Sequence, residues 1–403
     1  MLDRLASEPT AADMERRGAE LIGRARELIP LLDRHGDRIE RERRIPDEVL
    51  DALHDARLFR LLIPRSCDGE EMEPAIHFQV LEAIAQGDAS VAWCMGQGSG
   101  VSMTAAYVKP DVARAVFGDR RAVAACGPNN PKAPAIACDG GYRLTGEWGF
   151  ASGSPHATWL LGHATACEPD GTPRRGPDGK LPELLSLIFP KSSAAMNDDW
   201  NVMGLKGTGS VSYSVRDLFV PNDFTFTRET DADRREQGPL YRFSMFNMFG
   251  IGFSGTALGI ARRALDDFIK LAITKKPYAA TTVLADNNHI QSQVGLSEAR
   301  LQSSRTYVIE TYRRLYREVA QGHRFTPEMR IANRIVTCYA IQQAREVMNF
   351  VYHSAGATAI FESNPFERRF RDLNTVTQQG QGAYSNFESL GQVLMGRQAN
   401  RQT

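Results

Sequence analysis

The periodicity of the apolar residues changes twice along the chain, and this order of patterns most constrains the fold. Up to about residue 120, apolar residues such as Leu21, Ala25 and Leu28 recur at helical spacing. From Arg121 to about residue 227 the apolar runs are short and strand-like, and no helical pattern separates them. Four long amphipathic segments follow, the last near residues 375–394. We therefore predict an α+β protein with an N-terminal α-helical domain (residues 1–120), a central antiparallel β-sheet or barrel domain (121–235) and a C-terminal four-helix bundle (236–403).

Charge balance and the lack of long apolar runs exclude several classes of function. Lys and Arg together number 48, as do Asp and Glu, so the chain lacks the basic surplus with which proteins bind nucleic acids. No window approaches the length of a membrane span, and no hydrophobic signal segment begins the chain. The six cysteines are scattered without a C-x-x-C spacing. We expect a cytoplasmic protein with reduced thiols, no metal, and neither a nucleic acid nor a membrane as partner.

Two glycine-bearing stretches, residues 140–156 and 203–221, are the candidates for a ligand site. In the first, a strand-like run that contains Trp148 ends in a small-residue turn with Phe150 and Ser152. In the second, a glycine-rich turn precedes an apolar strand that ends at a proline. Small residues let a backbone approach a flat ligand closely. Neither stretch holds a metal cluster, a nucleophile elbow or a phosphate loop, and both look like the wall of a flavin site.

A series of short motifs runs in order along nearly the whole chain. The motifs are Leu62-Ile63-Pro64 with Gly69, Gly87-Asp88-Ala89-Ser90, Gly140-Gly141-Tyr142, Gly146-Glu147-Trp148, Ser152-Gly153, Trp200, Met203-Gly204-Leu205, Gly207-Thr208-Gly209-Ser210, Asp217-Leu218-Phe219-Val220-Pro221, Asn364-Pro365, Arg368-Arg369 and Arg371-Asp372. Together they resemble the acyl-CoA dehydrogenase superfamily, whose plan is a helical domain, a β-domain and a four-helix bundle. One such motif is weak evidence, whereas the ordered series is specific.

An acyl-CoA dehydrogenase needs a carboxylate base, and this chain lacks one at both positions that the family uses. The base removes a weakly acidic α-proton while hydride passes to flavin N5. In the family the glutamate lies eight residues after the aspartate of the Arg-Asp motif, which is Gly380 here, or early in the first bundle helix, where Phe249 aligns. An ordinary acyl-CoA dehydrogenase is therefore disfavoured. A dehydrogenase-like flavin enzyme with a displaced base remains an alternative.

The residues in these motifs are more similar to those of the two-component flavin-dependent monooxygenases of the superfamily. Trp93 after Ala92, the turn at Ser152 and the Asn364-Pro365 motif suit this branch. The resemblance implies that reduced FMN or FAD from a separate flavin reductase reacts with O₂, and that the resulting C4a-hydroperoxide oxygenates a small aromatic substrate. Such a species survives only where water is excluded and a donor holds the peroxide. The resemblance also implies a homotetramer or dimer, because bundles of this family pack against one another.

The resemblance assigns roles to residues of both stretches, and each assignment has a structural alternative. Ser152 is expected to supply a catalytic hydroxyl near flavin N5 and C4a, but it could simply cap a turn. Thr208 and Ser210 would reach the ribityl or phosphate part of the cofactor, or form only a tight turn. Trp148 and Phe150 would shape the wall of the ring pocket, or be ordinary core residues.

Two histidines that many of these hydroxylases carry are absent from this chain. Val101 and Asn374 stand at about the corresponding positions, and an amide can hydrogen-bond a substrate but cannot take its proton. Asn374 and Gln378 are one helical turn apart. We therefore predict Asn374 as a catalytic-site residue and Gln378 as a cofactor contact on the same helix face. A flavin-fold protein without activity is the remaining alternative.

Overall fold

The computed structural model describes residues 10–176, 179–227 and 233–399, and its element order confirms the predicted α+β architecture. Helices occupy the first part of the chain, a sheet the middle, and long helices the last part. The transitions fall between Phe117 and Ala124 and between Thr227 and Met245. The order of elements changes near the predicted domain boundaries, but the division into three domains stays a prediction.

Six α-helices form the N-terminal part of the chain. They are α1 (Ala11–Glu27), α2 (Ile29–Glu42), α3 (Asp47–Asp55), α4 (Pro74–Gly87), α5 (Ala89–Ser102) and α6 (Pro110–Phe117). α1 begins with a capping box, in which the side chains of Thr10 and Asp13 each accept the backbone N–H of the other. α4 and α5 are almost wholly buried, and the Asp88 side chain caps α5 by accepting the N–H of Val91. These two helices form the centre of the N-terminal part.

The central part is one mixed sheet. Its strands are β1 (Ala124–Cys126), β2 (Pro134–Cys138), β3 (Gly141–Trp148), β4 (Trp159–Cys167), β5 (Leu184–Pro190), β6 (Ala195–Met196), β7 (Tyr213–Pro221) and β8 (Thr225–Thr227). They are arranged in the order β6-β7-β3-β2-β4-β5-β8, with β1 also paired to β4. The predicted antiparallel sheet is wrong at two places, because β1 and β2 both pair with β4 in parallel. β2 and β3 form an antiparallel pair, and residues 149–158 then carry the chain across to the other side of β2.

Three long helices and two shorter ones form the C-terminal part. They are α7 (Met245–Thr274), α8 (Asn288–Ala320), α9 (Pro327–Ala355), α10 (Pro365–Val376) and α11 (Ser385–Leu394). The single helix predicted near residues 375–394 is wrong, because α10 ends at Val376 and a 3-10 turn (Gly380–Gly382) precedes α11. The two glycines of this turn disfavour a continuous helix. Among the described residues, no helix is both long and apolar enough to cross a membrane.

Helices from both ends of the chain share one apolar core, whereas the sheet has a second core of its own. Glycines let α7 approach the N-terminal helices closely. A Cβ on Gly255 of α7 would lie 2.9 Å from the carbonyl oxygen of Phe78 in α4. A Cβ on Gly96 of α5 would lie 3.4 Å from the Cα of Gly252 in α7. This packing fixes α5 against α7 and brings one of its faces to the candidate site.

Candidate active site

Three buried hydroxyls meet where the loop after β3 contacts the loop before β7. The Oγ atoms of Ser152 and Ser210 are 2.7 Å apart, and the Oγ of Ser210 lies 2.7 Å from the Oγ1 of Thr208. The Thr208 hydroxyl also donates to the carbonyl oxygen of Leu205 at 2.8 Å. The exposed fractions of Ser152, Ser210 and Thr208 are only 7%, 2% and 1%. We call these three side chains the hydroxyl cluster.

Two glycines with left-handed backbone bring these loops together. Gly153 has a φ of 80° and Gly209 a φ of 49°, a region that glycine enters without steric cost. The N–H of Gly153 donates to the carbonyl oxygen of Thr208 at 2.9 Å. The Ser154 hydroxyl donates to the carbonyl oxygen of Gly209 at 3.3 Å. These bonds join the two glycine-bearing stretches that were singled out in the sequence.

Phe150 provides the exposed aromatic face of the site. Its φ of 56° is uncommon for a residue other than glycine, and its side chain is 71% exposed. The ring meets that of Trp200 edge to face, with 6.0 Å between the centroids. A Cβ on Gly149 would meet no atom within 4 Å, so open space adjoins the end of β3. An exposed ring, open backbone and the nearby hydroxyl of Ser152 fit a flat ring system with polar nitrogens, which is what a flavin presents.

Trp93 of α5 joins the hydroxyl cluster to the helices. Its Nε1–H donates to the Oγ of Ser152 at 3.0 Å, and its indole stacks on Phe253 of α7 with centroids 4.1 Å apart. Phe253 stacks on Phe249 at 6.4 Å, and Phe249 meets Phe246 edge to face at 6.2 Å. Phe246 is 52% exposed. We call these four rings the aromatic column, which leads from the surface to the hydroxyl of Ser152.

Two buried carboxyl groups lie below the hydroxyl cluster, where Asp372 supports the loop before β7 and Asp88 caps α5. Asp372 of α10 accepts the N–H of Leu205 at 2.6 Å. The pKa of Asp372 is raised to about 7, chiefly by burial and also by the nearby Asp88, against the hydrogen bond from Leu205 and the charge of Arg368. Burial also raises the pKa of Asp88 to about 6, against the hydrogen bond from Val91. Both groups therefore titrate near neutral pH, and one of them ties the C-terminal helices to the site.

Trp148 lies in the core of the sheet. It is 2% exposed, it stacks on Tyr213 at 5.4 Å, and its Nε1–H donates to the carbonyl oxygen of His163 at 3.1 Å. This packing favours the core alternative for Trp148 and leaves the wall of a ring pocket to Phe150. The hydroxyls of Thr208 and Ser210 are bonded within the hydroxyl cluster, and their contact with a ribityl or phosphate group stays a prediction.

Asn374 and Gln378 lie at the end of α10. The Nδ2 of Asn374 donates to the carbonyl oxygen of Phe370 at 2.7 Å, one turn earlier in the helix. Gln378 is exposed and lies in the turn after α10, where its Nε2 donates to the Oγ1 of Thr377 at 3.2 Å. The predicted shared helix face is wrong, because regular helix ends at Val376. The roles assigned to Asn374 and Gln378 stay predictions.

Sequence analysis did not assign the aromatic column or Gln97 to the site. Gln97 follows Trp93 by one turn on α5 and is half-buried, and its side chain has no hydrogen-bond partner within the described ranges. The sequence does contain a pattern for the aromatic column. Phe246, Phe249 and Phe253 recur at spacings of three and four residues, as residues on one helix face do. It could not be separated from an ordinary core pattern without knowing that α5 packs on α7.

A charged cleft of about 940 Å³ borders Trp200, between α2, residues 200–206 and the start of α10. Its cations are largely paired: Arg371 lies 2.7 Å and Lys206 3.0 Å from the carboxylate of Glu40. Neither the hydroxyl cluster nor Phe150 lines this cleft. We therefore place the candidate site at the hydroxyl cluster, where buried hydroxyls adjoin the exposed ring of Phe150.

Comparison with known proteins identifies the family and the fold. The family model "Acyl-CoA dehydrogenase, N-terminal domain" matches residues 25–110, and "Acyl-CoA dehydrogenase, C-terminal domain" matches residues 251–380. An indole-3-acetate monooxygenase from Pseudomonas putida is 29% identical over 359 residues, which cover 89% of this chain and 89% of that protein. The oxygenase subunit of a flavin-dependent monooxygenase from Rhodococcus jostii is 25% identical over 360 residues, covering 86% of this chain and 90% of that protein.

A solved structure, XiaF from Streptomyces sp. in complex with FADH2 and glycerol, matches the fold with a TM-score of 0.89. It is 23% identical in sequence, and the match covers 97% of this chain and 98% of that one. The family models, the sequence relatives and the shared fold agree with the ordered motif series. The chain belongs to the acyl-CoA dehydrogenase superfamily.

Proposed function

We propose that the chain is the oxygenase component of a two-component flavin-dependent monooxygenase. It takes reduced FMN or FAD from a separate reductase and uses O₂ to oxygenate a small aromatic substrate. One observation carries the proposal: a buried hydroxyl, Ser152, lies at the site, while Phe249 and Gly380 occupy the positions where dehydrogenases hold a carboxylate. Phe249 is packed in the aromatic column, and Gly380 begins a 3-10 turn. The names of the two sequence relatives support the same function.

The residues around Ser152 fit the binding of a flavin ring. The exposed ring of Phe150 provides an apolar surface for the isoalloxazine, and Ser152 provides a polar atom at the closed side of the site. When bound, reduced flavin supplies the electrons that activate O₂. The protein orients the ring and keeps water from its inner edge, because Trp93 and Phe253 close the space behind Ser152.

The aromatic column supports an aromatic substrate. Flat rings pack favourably on other rings, and Phe246 gives the column an exposed end. Gln97 lies on the same face of α5 as Trp93, and its amide can both donate to and accept from a substrate hydroxyl or N–H. Val101, at the position of the absent histidine, is fully buried and apolar. Gln97 therefore orients the substrate in this proposal, without acting as its base.

Turnover with reduced flavin tests the proposal. The purified protein is loaded with FMNH₂ or FADH₂ without oxygen and then mixed with O₂ and a panel of phenols and indoles. We expect an oxygenated product, and we expect bound reduced flavin to reoxidise more slowly than free reduced flavin when no substrate is present. Reoxidation at the rate of free flavin, without product from any compound, would count against a monooxygenase.

Two controls separate the alternatives. Bleaching of bound oxidised flavin by an acyl-CoA without oxygen would support the dehydrogenase-like alternative with a displaced base. Failure to bind oxidised or reduced flavin would support the flavin-fold protein without activity. A variant with Ser152→Ala should retain the fold, because the side chain loses one atom, and it should lose most of the product yield.

We also propose that the protein works in the cytoplasm as a homotetramer or dimer. Large apolar side chains of the C-terminal helices and their connections are exposed in the single chain, and oligomer formation would bury them. They include Ile273, Leu296, Tyr307, Ile360 and Phe361. Light scattering of the purified protein measures the mass, and a strictly monomeric mass would contradict the proposal.

A further inference from the structure

The hydroxyl cluster belongs to a hydrogen-bond chain whose two ends are fixed by chemistry. At one end, the indole N–H of Trp93 can only donate, and it donates to the Oγ of Ser152 at 3.0 Å. At the other end, the carbonyl of Leu205 can only accept, and it accepts from the Oγ1 of Thr208 at 2.8 Å. Between these ends, Ser152, Ser210 and Thr208 have one hydroxyl proton each.

The number of protons determines the direction of each bond in the chain. Thr208 uses its proton on Leu205, so Ser210 must donate in the 2.7 Å contact between Ser210 and Thr208. Ser210 then has no proton for Ser152, so Ser152 must donate in the 2.7 Å contact between the two serines. Ser152 thus uses its only proton inside the protein. Its oxygen can therefore only accept a further hydrogen bond.

We propose that this chain of hydrogen bonds makes Ser152 a hydrogen-bond acceptor toward the flavin, so that the site favours the reduced ring over the oxidised ring. Ser210 and Thr208 act as positioning residues, and the inference rests on the proposed function. Reduced isoalloxazine carries a hydrogen at N5, whereas N5 of the oxidised ring has only a lone pair. An acceptor at Ser152 can bind the N5–H of the reduced ring, whereas it repels the N5 lone pair of the oxidised ring.

If the donors and acceptors of these hydrogen bonds were reversed, the preference for reduced flavin would be lost. The contacts of Thr208 oppose such a reversal. Ser152 could donate to an oxidised ring by giving up its bond to Ser210 or, with that contact kept, only if Ser210 donated to Ser152 and Thr208 donated to Ser210. The bond from Thr208 to the carbonyl of Leu205 would then be lost. The carbonyl of Leu205 would keep only its longer contacts, with the N–H of Thr208 at 3.2 Å and the Nε1–H of Trp200 at 3.3 Å, and bulk water cannot reach the buried Thr208 to replace the lost bond. Loss of one such bond corresponds to a preference of roughly threefold to tenfold for the reduced ring.

The variant Ser210→Ala tests the inference directly. Dissociation constants for FMN and for FMNH₂ are measured by titration of the purified full-length protein without oxygen. Removing the acceptor frees the proton of Ser152 for the oxidised ring. The ratio of the FMN constant to the FMNH₂ constant should therefore fall roughly threefold to tenfold relative to the wild type. A tenfold fall lowers the midpoint potential of the bound flavin by about 30 mV, which a redox titration measures independently.

Two further variants complete the test. Thr208→Val has nearly the same shape, leaves Ser210 free to donate to Ser152, and should lower the ratio in the same direction. Ser154→Ala is the matched control, because its buried hydroxyl donates to the carbonyl of Gly209 outside the chain, and its ratio should equal that of the wild type. Wild-type ratios in both Ser210→Ala and Thr208→Val would overturn the inference and leave the proposed function intact. A wild-type protein that bound neither FMN nor FAD, in the oxidised or the reduced form, would overturn both.

Discussion

Replacing Asp372 with Asn should stabilise the protein at alkaline pH and leave its stability unchanged in acid. The carboxyl group is buried and accepts the N–H of Leu205 at 2.6 Å. Burial raises its pKa to about 7, Asp88 and Glu40 act in the same direction, and Arg368 acts against them. The Asn side chain has nearly the same shape, can accept the same hydrogen bond, and carries no charge at any pH.

The sign of the effect follows from the two states of the chain. In the unfolded chain this carboxyl titrates near 3.8, so above that pH the unfolded state has released a proton that the folded state retains. Relative to a group that stays uncharged, the carboxyl costs the folded state nothing below about pH 4. The unfolding free energy of the wild type then falls as the pH rises to about 7. Raising the pKa from 3.8 to about 7 corresponds to roughly 4 kcal/mol of unfolding free energy. The difference in unfolding free energy between the variant and the wild type should therefore grow from near zero at about pH 4 to as much as this value above about pH 7.

Urea unfolding of both proteins between about pH 4 and pH 8 measures the difference, in which the other titrating groups largely cancel. Asp267→Asn is the control of opposite sign. Burial would raise the pKa of Asp267, but Arg369 and Arg263 outweigh burial and lower it. That variant should be less stable than the wild type across this whole pH range, because stability from a lowered pKa is lost only below about pH 3.8. A difference for Asp372→Asn that did not change with pH would refute the reasoning.

Three other substitutions probe the site. Phe150→Ala should change the unfolding free energy by only about 0.5 kcal/mol, because the side chain is exposed, yet weaken FMNH₂ binding in anaerobic calorimetry; unaltered binding would remove Phe150 from the site. Gly100→Ala should lower stability in urea by about 1–3 kcal/mol, because its Cβ would overlap the ring of Phe249, and Phe249→Leu should restore part of the loss. Gln97→Leu should raise the KM for an aromatic substrate without changing the Kd for FMNH₂, and an unchanged KM would contradict its role.

The order of elements could be predicted from the sequence because periodicity is a local property. Pairing of strands is not local: the parallel pair of β2 and β4 depends on where residues 149–158 cross the sheet. The break after α10 was not predicted because residues before and after Gly380 both fit a helical pattern. Only contacts with α9 and the 3-10 turn decide where that helix ends.

The two stretches of the candidate site could be proposed from the sequence, but the hydrogen bonds that join them could not. The motif series identified Ser152, whereas its partner Trp93 lies 59 residues earlier in the chain. The bond between Leu205 and Asp372 joins residues 167 positions apart. Alternation along β3 shows that Trp148 and Glu147 face opposite sides, but not which side is covered by Tyr213. Such facts depend on how the loops and helices meet in space.

The core shared by helices from both ends has a consequence for synthesis of the chain. α4 leaves the ribosome long before α7, so the face of α4 that packs on α7, which includes Phe78 and Leu81, is not covered by that helix until the whole sheet has been made. The sheet has its own core and can close first. The nascent chain therefore completes its middle before its beginning, unlike proteins whose N-terminal domain folds first. During that interval the face of α4 that later packs on α7 is exposed to aggregation.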